Sequence, residues 1–218
     1  MRRRAAHFMC LTALLLMSGM QVAGAVDAPT RVWNFSVYLD DKPIGYHRFT
    51  VDDRGSEHTM TTTARFNVKL LFVTVYRYAH DATEHWQGNC LTSLKAATTD
   101  GGALTEVDAR AQGDAMAVSA TGHARTSYAS CVMSFAYWNP EILRQSRLLN
   151  SQTGEYEAIK VTELGAQDIQ VRGSTVAAMH YRIDGPKHPI DLWYATNQQW
   201  LALESPLDGG RRLRYQLE

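Results

Sequence analysis

The chain has 218 residues, 45% of them hydrophobic and 20% charged, with 22 Lys and Arg set against 22 Asp and Glu. That balance leaves no basic surplus for nucleic acid, and no heptad, long repeat or low-complexity linker points to a second domain. The length suits one domain with a sizeable core once a leader is set aside.

The first elements read as that leader. Arg2, Arg3 and Arg4 precede an apolar run from Phe8 to Met17, and Ala23-Gly24-Ala25 follows. A positive start, a short apolar core and a small-x-small site make a secretory signal peptide. Residues 1–25 are therefore expected to be removed, leaving 26–218 as a single β-rich domain in the periplasm. The alternative, an uncleaved anchor, needs an apolar stretch nearer ~20 residues. Cys10 lacks the small residues of a lipoprotein box before it, and Ala5-Ala6 depart from a twin-arginine signal. Without residues 1–25, 19 cations face 22 acids, a net charge of −3. A mildly acidic surface argues against tight electrostatic docking on anionic lipid. No transmembrane segment is expected in the mature chain, which should be soluble.

Two cysteines then remain, Cys90 and Cys131. An even count in an oxidising compartment suggests a disulfide; two separate buried thiols are the alternative.

From Val32 the dominant period is two. In VWNFSVYL, Trp33, Phe35, Val37 and Leu39 share a face, and Asp40 to Pro43 break the run before IGYHRFTV. HTMTTTARFNV and KLLFVTVYRYA read as two further strands. LTSLKAAT, LTEVDARAQ and AMAVSATG follow at spacings near ten residues, as in an antiparallel meander. CVMSFAYW reads as a strand with Cys131, Met133, Phe135 and Tyr137 on one face and Val132, Ala136 and Trp138 on the other. Asn139 is a candidate N-cap and Pro140 a first helical residue, so one short helix is expected after Asn139. The later runs are EYEAIKVTELG, DIQVRG, TVAAMHYRI, IDLWYAT, QWLALES and RRLRYQL. Leu213, Tyr215 and Leu217 alternate with Arg212, Arg214 and Gln216, and that outward charge suits an exposed or edge strand. The fold expected is all-β: an antiparallel meander forming a curved half-barrel or barrel with one short helix.

Chemistry is harder to find. There is no G-x-S-x-G elbow, phosphate loop, dinucleotide fingerprint or C-x-x-C. No motif calls for a cofactor. His80 and Glu84 form a candidate polar pair, read as hydrogen bonding at a strand end before Trp86; their spacing matches no zinc-protease pattern, and no metal site is expected. Arg211, Arg212 and Arg214 can clamp an anion, but ordinary solvated charge is the simpler reading.

The more informative signal is apolar residues on both faces of LLFVTVYRY, CVMSFAYW and IDLWYA, since a half-buried meander keeps one polar side. Something covers the second face: the sheet itself, the helix or an apolar ligand. A groove lined by Tyr76, Tyr78, Phe135, Tyr137, Trp138, Trp193, Tyr194 and Trp200 suits an amphipathic ligand. Filling of a barrel core accounts for the same residues.

The chain resembles a family of exported bacterial proteins known as a domain of unknown function, the one numbered six-one-three-four. The resemblance rests on Tyr78-x-His80-x-x-x-Glu84-x-Trp86, Ser134-Phe-Ala-Tyr-Trp-Asn139, Leu148-Leu149-Asn150-x-x-Thr153-Gly154-Glu155, Tyr181-Arg182-Ile183, and Asp191-Leu192-Trp193-Tyr194 with Trp200 and Gly210-Arg211. It covers nearly all the mature chain and implies no assigned activity. In pattern the chain is also similar to periplasmic half-barrel lipoprotein carriers, a fold-level analogy. The expected function is a periplasmic binding or carrier protein for a lipid-like or apolar ligand. The alternative is an envelope scaffold or assembly factor that binds a protein partner through a strand edge. Enzymatic activity through His80 and Glu84 stays open, with the sequence favouring a non-enzymatic role.

Overall fold

The period-two pattern is carried into strands from Thr30 to the C-terminus. The computed structural model describes residues 29–70, 72–129 and 131–218; the leader expected at 1–25 lies outside them. The strands are β1 (Thr30–Leu39), β2 (Lys42–Arg54), β3 (Glu57–Leu70), β4 (Val73–Gln87), β5 (Cys90–Asp100), β6 (Ala103–Gln112), β7 (Ala115–Ala120), β8 (Thr126–Ala129), β9 (Arg147–Leu149), β10 (Tyr156–Ala158), β11 (Lys160–Val171), β12 (Ser174–Asp184), β13 (Ile190–Ala195), β14 (Trp200–Pro206) and β15 (Arg212–Leu217).

Thirteen of them form one antiparallel sheet in the order β11-β12-β13-β14-β15-β1-β2-β3-β4-β5-β6-β7-β8. This is a meander with one long-range closure, the last strand pairing with the first so that Val37 stands opposite Tyr215. Inward residues from distant strands, such as Val118 of β7 and Ile183 of β12, belong to one core, so the sheet curls into a barrel-like shape. It stays open, because its edge strands β8 and β11 do not pair with each other.

The chain between those edges, residues 131–159, fills the concave side. Val132, Met133, Ala136, Trp138, Ile142, Leu148 and Leu149 are all buried in the main core. The filling segment is tied down at its start by the Cys90–Cys131 disulfide (Cα atoms 4.4 Å apart) and by Leu91 N–H donating to the Val132 carbonyl at 2.9 Å. Further on, Gly154 presses on β7. Its φ is 78°, and a Cβ there would lie 2.7 Å from Ala120 Cβ, so only glycine fits. The short β9–β10 ribbon then leads into β11, with Tyr156 against Tyr128 of β8 at 4.9 Å.

Three expectations are corrected here. CVMSFAYW is not a strand: Ala136, Tyr137 and Asn139 make short-range backbone bonds to Ser134, Phe135 and Ala136. Its apolar residues on both faces come from being surrounded, not from a sheet with two covered sides. KLLFVTVYRYA is not one strand either, because β3 ends at Leu70 and β4 begins at Val73. The turn between them carries no Gly, Pro, Asn or Asp, so nothing in the composition marked it. The last strand is not an edge: β15 lies between β14 and β1, and its outward cations pair with Glu204 (Arg212, 3.5 Å) and Asp41 (Arg214, 3.6 Å).

The expected helix after Asn139 is a 3-10 helix, Pro140–Arg144, shorter than the apolar stripe to Leu149 implied. The Asn139 side chain accepts from Glu141 N–H at 3.1 Å, and Ile142 is its buried residue. Leu148 and Leu149 belong instead to β9.

Reducing the disulfide frees a loop spanning a sequence separation of 41. The Cys90→Ala/Cys131→Ala variant is expected to lose ~4 kcal/mol of stability, read as a lower urea midpoint than the oxidised chain.

Candidate functional site

The two ends of the barrel differ in what lines them. At one end tryptophans close the interior. Trp33 Nε1 donates to the Trp200 carbonyl at 3.2 Å, and Trp86 meets Trp138 edge-on at 5.7 Å. Arg31 lies over both Trp33 (5.5 Å) and Trp138 (5.3 Å) and is held by Asp53, which also accepts from His58. Trp200 is fully buried, with Phe35 and Tyr137 packed on its ring at 4.4 and 5.3 Å.

The other end is a mouth. Register places Val161, Ile183, Ile190, Ser205, Leu213 and Leu39 in one inward row across six strands. Ile44 sits at the irregularity of β2 next to this row, and Tyr78 stands in the following inward row with Phe66, Val37 and Tyr215. Val161, Ile190, Leu213, Ile44 and Tyr78 pack against the core yet remain half-buried, and Phe135 and Tyr137 from the filling segment do the same. Apolar side chains at this rim are thus left partly open to solvent.

Between mouth and base lies a polar band. His47 (β2) contacts the Thr62 hydroxyl at 2.6 Å through Nε2 and the Tyr215 hydroxyl at 3.2 Å through Nδ1. His80 (β4) contacts the Thr98 hydroxyl at 2.8 Å, and the two imidazoles are 6.5 Å apart. Burial, reinforced by the neighbouring His80, holds His47 well below the usual histidine range. Burial likewise brings His80 down to about 4, with Asp81 opposing and Arg65 adding to the effect. Both are neutral near pH 7 and offer hydrogen bonds without charge. Burial also raises the phenols of Tyr78, Tyr137 and Tyr215.

Glu84 sits deeper on the same face of β4. Its Oε2 accepts from Trp86 Nε1 at 3.1 Å and from Ser134 Oγ at 3.0 Å, tying the sheet to the filling segment. Burial pushes its carboxyl up to about 7, against those two hydrogen bonds. His80 and Glu84 are therefore not at a strand end, as the sequence suggested: β4 runs to Gln87 and both point inward from its middle. They share no hydrogen bond, and among the described residues no three His, Cys, Asp or Glu gather to hold a metal.

The candidate aromatics separate into four places. Tyr78, Phe135 and Tyr137 stay half-buried against the core, with Tyr78 OH donating to Gln152 at 2.8 Å and the Tyr137 ring on Trp200 at 5.3 Å. Trp138, Tyr194 and Trp200 are packed core, with Tyr194 OH donating to the Tyr137 carbonyl at 2.8 Å. Trp193 faces outward into a small second cluster with Ala178 and Leu201, stacked on His180 at 4.3 Å. Tyr76 lies outside the barrel on the β3–β4 hairpin, its hydroxyl donating to Asp100 at 2.7 Å. His47, Thr62 and Thr98 escaped the sequence reading, which named Ser134 only within a family motif and Tyr215 only as an alternating residue of the last strand. For His47 the signal was available, since it alternates in phase with Phe49 and Val51 in IGYHRFTV.

The pH dependence of stability follows from these groups. Glu84 favours the folded state most when protonated, so its contribution falls as pH rises from ~4.5 to about 7. His47 and His80 act oppositely, since acid protonates them only in the unfolded chain. Glu84→Gln is expected to gain about 2–3 kcal/mol relative to wild type between pH 5 and pH 7.5, and to lose stability on acidification more steeply than wild type. Urea unfolding at the two pH values measures this.

Comparison with known proteins agrees with the architecture. No curated protein matches the chain. Among solved structures it is similar to a beta-barrel-like protein of a domain of unknown function, DUF1849, from Brucella abortus, with a TM-score of 0.63 at 11% identity, covering 88% of this chain and 96% of that one. At that identity the likeness concerns the fold alone. Residues 35–218 match the family described as Domain of unknown function (DUF6134), and the chain belongs to that family.

Proposed function

We propose that the protein is an exported envelope protein that binds an amphipathic, lipid-like ligand at the open mouth of its barrel. The observation that carries this reading is a group of half-buried apolar residues at one end of the barrel: Val161, Ile190 and Leu213 in one row, with Ile44 and Tyr78 beside it. Five such side chains left at a rim forfeit burial that a ligand would restore, at about 25 cal/mol per Å² covered. The opposite end is sealed by tryptophans and the middle is filled by residues 131–159, so the mouth is the place where an apolar group finds uncovered partners. The Tyr78 hydroxyl, bonded to Gln152, supplies a hydrogen-bonding group beside those apolar side chains. The eight aromatics expected to line a groove thus reduce, for ligand contact, to Tyr78, Phe135 and Tyr137.

Native mass spectrometry of the gently extracted chain is expected to show a bound lipid-sized adduct, and a fluorescent fatty-acid probe should respond to the purified protein. Ile44→Asp with Leu213→Asp should weaken probe binding by about ten-fold or more while Trp33 and Trp200 keep their fluorescence. A chain that carries no adduct and leaves the probe dark overturns the reading.

One observation favours a second reading, a scaffold that binds by strand addition. β11 is a twelve-residue edge strand, mostly exposed, with β12 on one side and no strand on the other among the described residues. A photocrosslinker at Asp168 that captures one stoichiometric envelope protein, with no lipid adduct, favours the scaffold over the carrier.

A further inference from the structure

The β3–β4 hairpin outgrows the sheet. Pairing of β2 with β3 stops at Gly45 opposite Phe66, and pairing of β4 with β5 stops at Tyr78 opposite Asp100. Beyond that line β3 and β4 pair only with each other, from Asn67 opposite Arg77 to Leu70 opposite Val73. Four further residues at about 3.3 Å each carry the finger roughly 13 Å past the last residues of β3 and β4 that pair with β2 and β5. It leaves from the mouth end of the barrel.

Its composition is unlike any other turn of the protein. Residues 67–77 read NVKLLFVTVYR, with two cations and no acid. Phe72 is 98% exposed, Val73 66% and Val75 58%. These three are the most exposed of the large apolar residues among those described. Lys69 and Arg77 are exposed behind them, and Tyr76 stands at the foot of the finger with its hydroxyl on Asp100.

We propose that this hairpin is a membrane-docking finger that inserts its tip into the interface of a bilayer containing anionic lipid. A protein partner recognises a face or an edge. An isolated narrow tip offers it little area, whereas a bilayer needs none of the shape complementarity a protein surface does. The apolar end enters the acyl boundary, the tyrosine sits at headgroup level, and Lys69 and Arg77 meet the phosphates. The net charge of −3 over residues 26–218 opposes general electrostatic adhesion; the cationic hairpin localises it. The tip's depth matches an interfacial insertion of ~5–10 Å and not a span. The proposal stands on the hairpin alone and does not require that the mouth binds a ligand.

The test is flotation of the full mature chain with phosphatidylcholine vesicles, with and without phosphatidylglycerol. Wild type is expected to float with both and more strongly with the anionic mixture. Phe72→Asp with Val75→Asp should reduce the bound fraction by about ten-fold or more, with an unchanged thermal unfolding midpoint because both positions are exposed. Lys69→Glu with Arg77→Glu should remove only the gain from phosphatidylglycerol. Ile44→Asp with Leu213→Asp, which alters the mouth, should float as wild type does. Wild type that stays in the pellet fraction with every vesicle, or a Phe72→Asp/Val75→Asp variant that floats equally well, overturns the proposal. So does a photocrosslink from position 72 to a protein in place of lipid.

Discussion

The Cys90–Cys131 disulfide and the hydrogen bond from Ser134 to Glu84 hold one stretch of chain inside a sheet that has nothing else to close on. An open antiparallel sheet of thirteen strands has a concave apolar face, and leaving it to water forfeits most of the driving force for folding. Residues 131–159 cover it. Trp138, Ile142, Leu148 and Leu149 enter the same core as the inward residues of β1 to β7. The covalent tie fixes where the segment starts, and the glutamate, donated to by both Trp86 and Ser134, fixes how deep it lies. A carboxyl in that place is tolerable because burial keeps it close to neutral.

The filling is unequal along the barrel axis, and this asymmetry shapes every functional argument. At the base, four of the five tryptophans meet one another or each other's neighbours, with Arg31 stacked on two of them. At the mouth the row through Ile190 and Leu213 alternates half-buried Val161, Ile190 and Leu213 with buried Ile183, Ser205 and Leu39. The polar band of His47, Thr62, Tyr215, His80 and Thr98 separates the two. Its imidazoles are neutral because they are buried, so the band is polar without charge. The apolar finger and the mouth lie at the same end of the barrel.

Much of this was legible in the chain. Alternation located the strands of the meander, and the break from Asp40 to Pro43 marked a turn because acidic residues and proline favour one there. Asn139-Pro140 marked a helix start for the reason capping works in any helix. The errors have one cause. Alternation reports what surrounds a residue, not its backbone conformation. CVMSFAYW looked like a two-faced strand because core lies on both sides of it. LLFVTVYRY looked continuous because no Gly, Pro, Asn or Asp interrupts it. RRLRYQL looked like an edge because its outward arginines suit solvent, but they suit equally an outer face where Glu204 and Asp41 stand ready.

The sequence by itself determined the class of fold, its antiparallel order and the cysteine pair available for bridging, because these depend on local period, turn chemistry and count. Tertiary structure alone decided which apolar residues are core, which are rim and which project. Tyr78, Trp138, Trp193 and Phe72 are alike as aromatic residues in apolar runs. They end at the mouth, in the base, on the outer face and at the tip of a finger. What separates them is the curl of the sheet, the path of residues 131–159 and the length by which β3 and β4 exceed their neighbours. All three are set by pairings between residues far apart in the chain, and such pairings leave no mark in local composition.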